Sequence, residues 1–328
     1  MHDRSSIRNR LTVALGAALA FAAISMPAIP AHGSQNELDP PPSIAPVQVE
    51  RIATIGASAT AGFGAYFWRI EDDRPVRDGT TLAKFLRTAS DDTVIVTDLG
   101  TGQFFMNPAG IGRMQVDRAI RSNVDLVIGI DFLFWFCYGT VGPEARRMRD
   151  ADDRMAMLEH GLEILDDVVE AGIPLLVGDI PDMSAARGGI LAPSAVPEIQ
   201  TQLRANERIR EWAASHREVE IFSLQRLQIL LASDDPIEVD GRTLGPRERT
   251  LLLQSDRLHP TLGGLAVIVD AVVDRVREHP LVIDRLPDIQ TDYAINLTRL
   301  TGFPAMIDQL ALDRRQRDID PMADDANE

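Results

Sequence analysis

Residues 52–64 read Ile-Ala-Thr-Ile-Gly-Ala-Ser-Ala-Thr-Ala-Gly-Phe-Gly. An apolar run, Ile52 to Ile55, gives way to small residues, and Ser58 stands between Ala57 and Ala59. A short run of consecutive apolar residues is what a strand covered on both faces looks like. The small residues after it describe a tight turn. A serine flanked by alanines in such a place has two readings: the turn is merely tight, or the Ser58 hydroxyl must stay uncovered so that something can reach it.

The same kind of run recurs along the chain. Val49–Ile55, Thr93–Leu99, Val124–Ile130, Pro174–Gly178 and Val219–Leu224 are short and rich in Val and Ile. Helical patterns fall between them. In Asp152–Ala171, Met155, Leu158, Leu162, Leu165 and Val169 recur at three and four residues, and Gly172 with Pro174 ends the helix. Thr80–Thr88, Ile199–Ala214 and Leu262–Arg277 follow the same period, the last halted before Pro280. Strands alternating with helices predict an α/β fold, a parallel five-stranded sheet in a three-layer α/β/α sandwich. Residues 233–255 interrupt the alternation with a hairpin turning at Asp240-Gly241. Residues 286–312 add a further helix, and the acidic end is loose.

The first 33 residues read as an export signal: Arg4, Arg8 and Arg10, an apolar run from Leu11 to Met26, then small residues with Ala31 or Gly33 as the cleavage point. The run is shorter than the roughly 20 residues of a spanning helix, and an uncleaved anchor is the alternative reading. Residues 34–47 are a Pro-rich linker, 48–285 the main domain and 286–328 a C-terminal extension. This organisation predicts a periplasmic or secreted protein without stable membrane insertion.

The chain carries 33 basic and 49 acidic residues, a net charge of −16. Removing the leader takes away three Arg and one Asp and leaves −18. So negative a chain is a poor partner for nucleic acid, which needs clustered positive charge. Cys137 is the single cysteine, which excludes an intrachain disulfide and a thiolate metal cluster. Lys84 is the single lysine and sits in no phosphate-loop motif. Residues 56–62 lack the Lys of a phosphate loop and the final Gly of a nucleophile elbow, and Gly62-x-Gly64 lacks the third Gly of a dinucleotide fingerprint, where Phe67 stands. The histidines are scattered, with no His-Glu-x-x-His, so neither metal nor cofactor is expected. Asp150–Asp153 reads as an acidic helix start.

In an open parallel sheet, ligands gather beyond the carboxyl ends of the strands. Ser58 lies past the first strand, Gly100 and Gly102 past the second, and Asp131 with an aromatic run past the third. Far along the chain stands Asp256-Arg257-Leu258-His259-Pro260. A nucleophilic serine needs a base, and the base an acid to fix its tautomer. Asp256 and His259, three apart, can meet within one turn. Gly263 and Gly264 allow that loop a close approach to the rest of the site. Twelve of the 17 aromatic residues fall between Phe63 and Tyr138. Phe132, Phe134 and Trp135 are candidates for an apolar substrate pocket, with core packing as the other reading.

Gly-Ala-Ser at 56–58, a glycine after strand two, Gly-Ile-Asp at 129–131 and Asp-Arg-Leu-His-Pro at 256–260 together resemble the SGNH/GDSL hydrolases. The resemblance spans residues 48–279 and lies in the order of four blocks. It implies a flavodoxin-like sheet and ester or acyl-transfer chemistry without a metal or cofactor. Ser58 would be the nucleophile, His259 the base and Asp256 its orienting acid. The N–H groups of Ser58 and Gly100 would form the oxyanion hole, with Gly102 as the alternative. Ala57 replaces the family's Asp, and Asp131 stands where its oxyanion Asn belongs. A carboxylate only accepts, so Asp131 in that slot would oppose an oxyanion, and Asp131→Asn would then preserve or raise turnover. Asn107 is a substitute donor. The expected function is an exported serine hydrolase acting on a small or polymeric ester; an O-acyltransferase and a non-catalytic module binding a glycan or protein are the alternatives.

Overall fold

A computed structural model describes residues 47–301, apart from residues 73, 91, 143–145, 233–236, 240–241, 246–250, 283–285 and 288. The chain divides into Met1–Ala45 and Pro46–Glu328, and every described residue lies in the second unit. The leader, the linker up to residue 46, the Asp240-Gly241 turn and the acidic tail fall outside the described residues.

The elements run β1 (Arg51–Thr54), β2 (Tyr66–Glu71), β3 (Arg74–Gly79), α1 (Leu82–Ala89), β4 (Ile95–Asp98), α2 (Pro108–Arg121), β5 (Leu126–Gly129), α3 (Phe134–Cys137), α4 (Ala151–Glu170), β6 (Leu175–Gly178), α5 (Ile199–Ala214), β7 (Val219–Phe222), α6 (Leu224–Ala232), β8 (Ile237–Val239), β9 (Arg242–Leu244), α7 (Leu262–Arg277) and α8 (Tyr293–Thr301). Five strands form one sheet in the order β4-β1-β5-β6-β7. All four pairings are parallel, with Ile52 opposite Val96 on one side and Leu126 on the other. This is the flavodoxin-like order, second strand, first, third, fourth, fifth.

The central strands show why their sequences have no polar side. β5 and β6 are buried at every position. Along β5, Leu126 and Ile128 join one core with Leu82, Phe85 and Leu86 of α1 and Leu265, Val269 and Val272 of α7. Val127 points the other way, into a core with Val116 of α2, Leu158, Leu162 and Leu165 of α4, and Ile209 and Trp212 of α5. Two cores on opposite faces of one sheet make the three layers. Truncating a side chain such as Ile128 to Ala would cost about 2–5 kcal/mol.

The hairpin β2–β3, helix α2, the single turn α3 and helix α6 were not anticipated. The hairpin pairs Tyr66 with Gly79 through Glu71 with Arg74. Helix α2 is capped by Asn107, whose side chain accepts from the Gly110 N–H, with Pro108 opening the helix. Asp150 caps α4 and accepts from the Asp153 N–H at 3.0 Å, in keeping with an acidic helix start. Among the described residues, no helix is long and apolar enough to cross a membrane. The sheet order sets the site. After β1 the chain runs to β4 on one side and then crosses to β5 on the other, and at such a reversal of strand order ligands bind beyond the carboxyl ends of the strands.

Candidate active site

The loop leaving β1 turns on glycine. Gly56 has φ +143°, and a Cβ there would lie 2.2 Å from Asp131 Oδ1. Gly62 has φ +64°, and a Cβ there would fall 1.7 Å from the Thr80 carbonyl oxygen. Both are positions where a side chain would be strained and would collide. The turn they permit is closed by Ala61 N–H to Ala57 O at 2.9 Å and Phe63 N–H to Ser58 O at 2.9 Å.

The Asp256 loop is a tight bend held at its base by Gln254 N–H to His259 O at 2.8 Å and Thr261 N–H to Leu252 O at 3.0 Å. Arg257 sits at φ +58°, the left-handed conformation that lets the bend close. Gly264 makes room for helix α7 against it, since a Cβ there would meet the Leu252 carbonyl at 1.9 Å.

These loops bring three side chains together. His259 Nε2 lies 2.8 Å from Ser58 Oγ across 201 positions of sequence. His259 Nδ1 lies 2.7 Å from Asp256 Oδ2. Asp256 Oδ1 accepts from the N–H groups of Leu258 at 2.9 Å and His259 at 3.0 Å. Burial works against the charge on Asp256. The hydrogen bonds from the His259 side chain and from the two N–H groups outweigh it and hold the carboxyl below its usual range. A carboxylate only accepts, so the imidazole proton sits on Nδ1 and Nε2 is left to accept from the Ser58 hydroxyl. His259 is buried. Phe63 covers its ring at a centroid distance of 4.6 Å and is itself 49% exposed.

Asp131 is not an oxyanion donor. It is buried, and four donors converge on it. Oδ1 accepts from Ala57 N–H at 2.9 Å and Thr60 Oγ1 at 2.6 Å; Oδ2 accepts from Ala59 N–H at 2.7 Å and Thr60 N–H at 3.3 Å. It is the buckle of the serine loop, a demand an acceptor-only carboxylate meets and an amide does not. With Asp131 on the flanking amides, Gln115 on Gly56 and turn bonds on residues 61 to 63, the Ser58 N–H is left without an acceptor among the described residues.

Gly100 also departs from expectation. Its N–H faces Asp98 Oδ1 at 3.3 Å, and its missing Cβ is taken up by packing, 2.7 Å from the Thr60 methyl. The Gly102 N–H has no acceptor among the described residues, and a Cβ on Gly102 would lie 3.7 Å from the Phe63 ring that covers His259. Asn107 is turned to the start of α2, where its Oδ1 accepts from the Gly110 N–H at 3.0 Å.

The aromatic expectation divides. Phe132 is fully buried, 5.4 Å from Phe104 and 5.6 Å from Phe136. Phe134 is buried and stacks on Tyr138 at 4.3 Å. Both are core residues rather than pocket walls. Trp135 is half-buried and lies 5.7 Å from Phe105, which is 50% exposed. Phe63 is the aromatic packed on His259, and its place directly after the serine turn was the available signal.

Two glutamines join the loops and were invisible in sequence. Gln254 Nε2 donates to Phe63 O at 2.6 Å and to Pro260 O at 2.8 Å, which ties the serine loop to the histidine loop. Gln115, fully buried on α2, accepts from Gly56 N–H at 2.8 Å and donates to Gly56 O at 3.0 Å and Leu99 O at 2.7 Å. Among the described residues, no three His, Cys, Asp or Glu side chains converge as a metal site. Burial pushes the Cys137 thiol up to about 12, which removes it as a nucleophile.

No protein-family model matches the sequence, and neither does any curated protein. Among solved structures, the chain is similar to an acetylxylan esterase from Geobacillus stearothermophilus, with 15% identity, a TM-score of 0.44 and coverage of 74% of this chain and 100% of that one. It is similar to a putative acylhydrolase from Bacteroides fragilis, with 14% identity, a TM-score of 0.42 and coverage of 70% and 87%. An esterase from Pseudoalteromonas gives 12% identity, a TM-score of 0.40 and coverage of 70% and 97%.

Proposed function

We propose that this chain is an exported serine hydrolase of the SGNH type, acting on carboxylic esters. The observation that carries the reading is the unbroken relay from Asp256 Oδ2 through His259 to Ser58 Oγ, at 2.7 Å and 2.8 Å. Ser58 Oγ attacks the ester carbonyl carbon while His259 Nε2 takes its proton. Asp256 holds the imidazole in the tautomer that can do so and stabilises the imidazolium. The tetrahedral oxyanion is met by the Ser58 N–H and by a second amide from the 100–102 loop. Gly102 is favoured there because the Gly100 N–H is turned to Asp98. His259 returns the proton to the departing alcohol, and a water then repeats the steps on the acyl-enzyme. Exposed Phe63 beside His259 gives the acyl or alcohol group an apolar surface to lie on. Export rests on the basic and apolar leader at residues 1–33.

The test is turnover of short p-nitrophenyl esters. The wild type should hydrolyse them, and Ser58→Ala should retain roughly a thousandth or less of the rate. Equal rates in the two would overturn the proposal; so would a folded wild type inert toward every acyl length tried, the outcome expected of a binding module.

A further inference from the structure

We infer that Gln115 is a positioning residue for the oxyanion hole: its side-chain amide fixes the gap between the serine loop and the loop that supplies the second donor. The inference rests on the ester-hydrolase reading above. The site needs two N–H groups from different loops, one after β1 and one after β4, aimed at a single oxygen. Donors of this kind act only at hydrogen-bond distance from where the oxyanion forms, and a change of about 1 Å can cost a hundredfold in rate. Among the described residues the backbone ties the loops directly by Thr101 N–H to Gly56 O at 3.1 Å, and Leu99 N–H to Thr54 O at 2.9 Å fixes the start of the second loop to the end of β1. Neither bond holds the N–H of Gly56. Gln115 supplies the other ties, gripping Gly56 by both its N–H and its C=O and Leu99 by its C=O.

Gly56 is two residues before Ser58, and Leu99 is one before Gly100 and three before Gly102. Gln115 is fully buried beneath both loops, and all of its contacts are to backbone. Helix α2 thereby holds both donor loops through one planar group, and that group is committed to three bonds that other side chains of similar length cannot make. A methionine fills the same space without donating or accepting. A glutamate keeps the acceptor for Gly56 N–H but, when ionised, sets a carboxylate against two carbonyl oxygens.

The test uses the full chain with Gln115→Met and Gln115→Glu. For Gln115→Met, kcat on p-nitrophenyl acetate should fall roughly 10- to 100-fold with KM within about twofold of wild type, because the donors it positions meet the oxyanion only in the transition state. Affinity for a boronic acid that forms a tetrahedral adduct should fall by a similar factor. A folded Gln115→Met variant with unchanged kcat, or with unchanged boronic acid affinity, would overturn the inference. Gln115→Glu guards against a variant that does not fold. Its activity relative to wild type should rise as pH falls, since the introduced carboxyl regains one donor on taking up a proton; a ratio flat with pH counts against the inference. Amide hydrogen exchange separates this claim from the one it rests on. Exchange at residues 56–63 and 99–103 should quicken in Gln115→Met while β6 and β7 stay protected, whether or not the protein turns over esters. Unchanged exchange there would overturn the clamp itself, whereas a wild type inert toward esters would overturn the hydrolase reading.

Discussion

Asp256 and Asp131 are both short carboxylates at the same sheet edge, and their partners separate their tasks. Asp256 faces an imidazole, so its loss acts on the tautomer. Asp256→Asn should lower kcat by about 10⁴ with little change in folding, the size of effect known for the equivalent change in a serine protease; initial rates with one ester and a thermal melt check both halves. Asp131 faces amides. Asp131→Asn keeps one acceptor and turns an NH₂ group toward N–H donors, so the serine loop loses at least one bond and gains a repulsion. It should reduce kcat roughly 10- to 100-fold and destabilise the fold by about 1–3 kcal/mol, measured by ester turnover and urea unfolding. That reverses what the SGNH pattern implied for an Asp in the oxyanion position. The sequence showed which residue type stands at 131 but not that the residue points back into the serine loop rather than out into the site.

At the scale of elements, the site is a matter of how loops are joined. Gln254 lies 191 positions from Phe63, whose carbonyl it binds, and ties that residue to Pro260 of its own loop. Gln254→Ala leaves both loops but cuts their tie. Ester turnover should drop by more than the melting temperature suggests, and a fall in kcat at constant KM reads the loss of register between Ser58 and His259. Gly264→Ala tests the other joint. Its Cβ would sit 1.9 Å from a backbone oxygen, so α7 must shift, at a cost of about 1–3 kcal/mol. The elements that the sequence made legible are those with an apolar signature. The strands of the sheet stand out because both faces are covered, and α5 and α7 match their expected limits, Ile199–Ala214 and Leu262–Arg277. Helix α2 was missed because its inner face is Gly112, Gln115, Val116 and Ala119. Small and polar residues leave little periodicity, although Asn107-Pro108 is a good start signal. The hairpin β2–β3 was missed because Arg74–Gly79 carries Pro75, Asp78 and Gly79, poor strand formers held by antiparallel pairing with β2.

For the whole molecule, acid sensitivity has a specific source away from the site. His279 is fully buried. Its Nε2 lies 2.9 Å from the Glu218 carbonyl, and its Nδ1 accepts from Leu281 N–H at 3.1 Å, so the ring is held as the neutral tautomer. Burial lowers its pKa from the ordinary 6.5. The unfolded chain therefore takes up the proton first. The contribution to stability is complete above about pH 6.5 and is lost as pH falls below that value toward the folded pKa. The urea midpoint should drop between pH 7 and pH 5, and the drop should be smaller in His279→Gln. An equal drop in both would contradict the assignment. The architecture was readable from alternating strands and helices; of the four short blocks, those at Ser58 and at Asp256–His259 meet in the fold, while Asp131 turns into the serine loop and the Gly100 N–H faces Asp98. The fine structure of the site depends on contacts across the fold that spacing does not encode.

The most direct measurement of the account's centre is intact-mass analysis after treatment with a fluorophosphonate, followed by peptide mapping. The wild type should gain a single adduct on Ser58, and His259→Ala should gain little or none under the same conditions because the hydroxyl has lost its base. No adduct on folded wild type, an adduct mapping elsewhere, or equal labelling of the two proteins would contradict it.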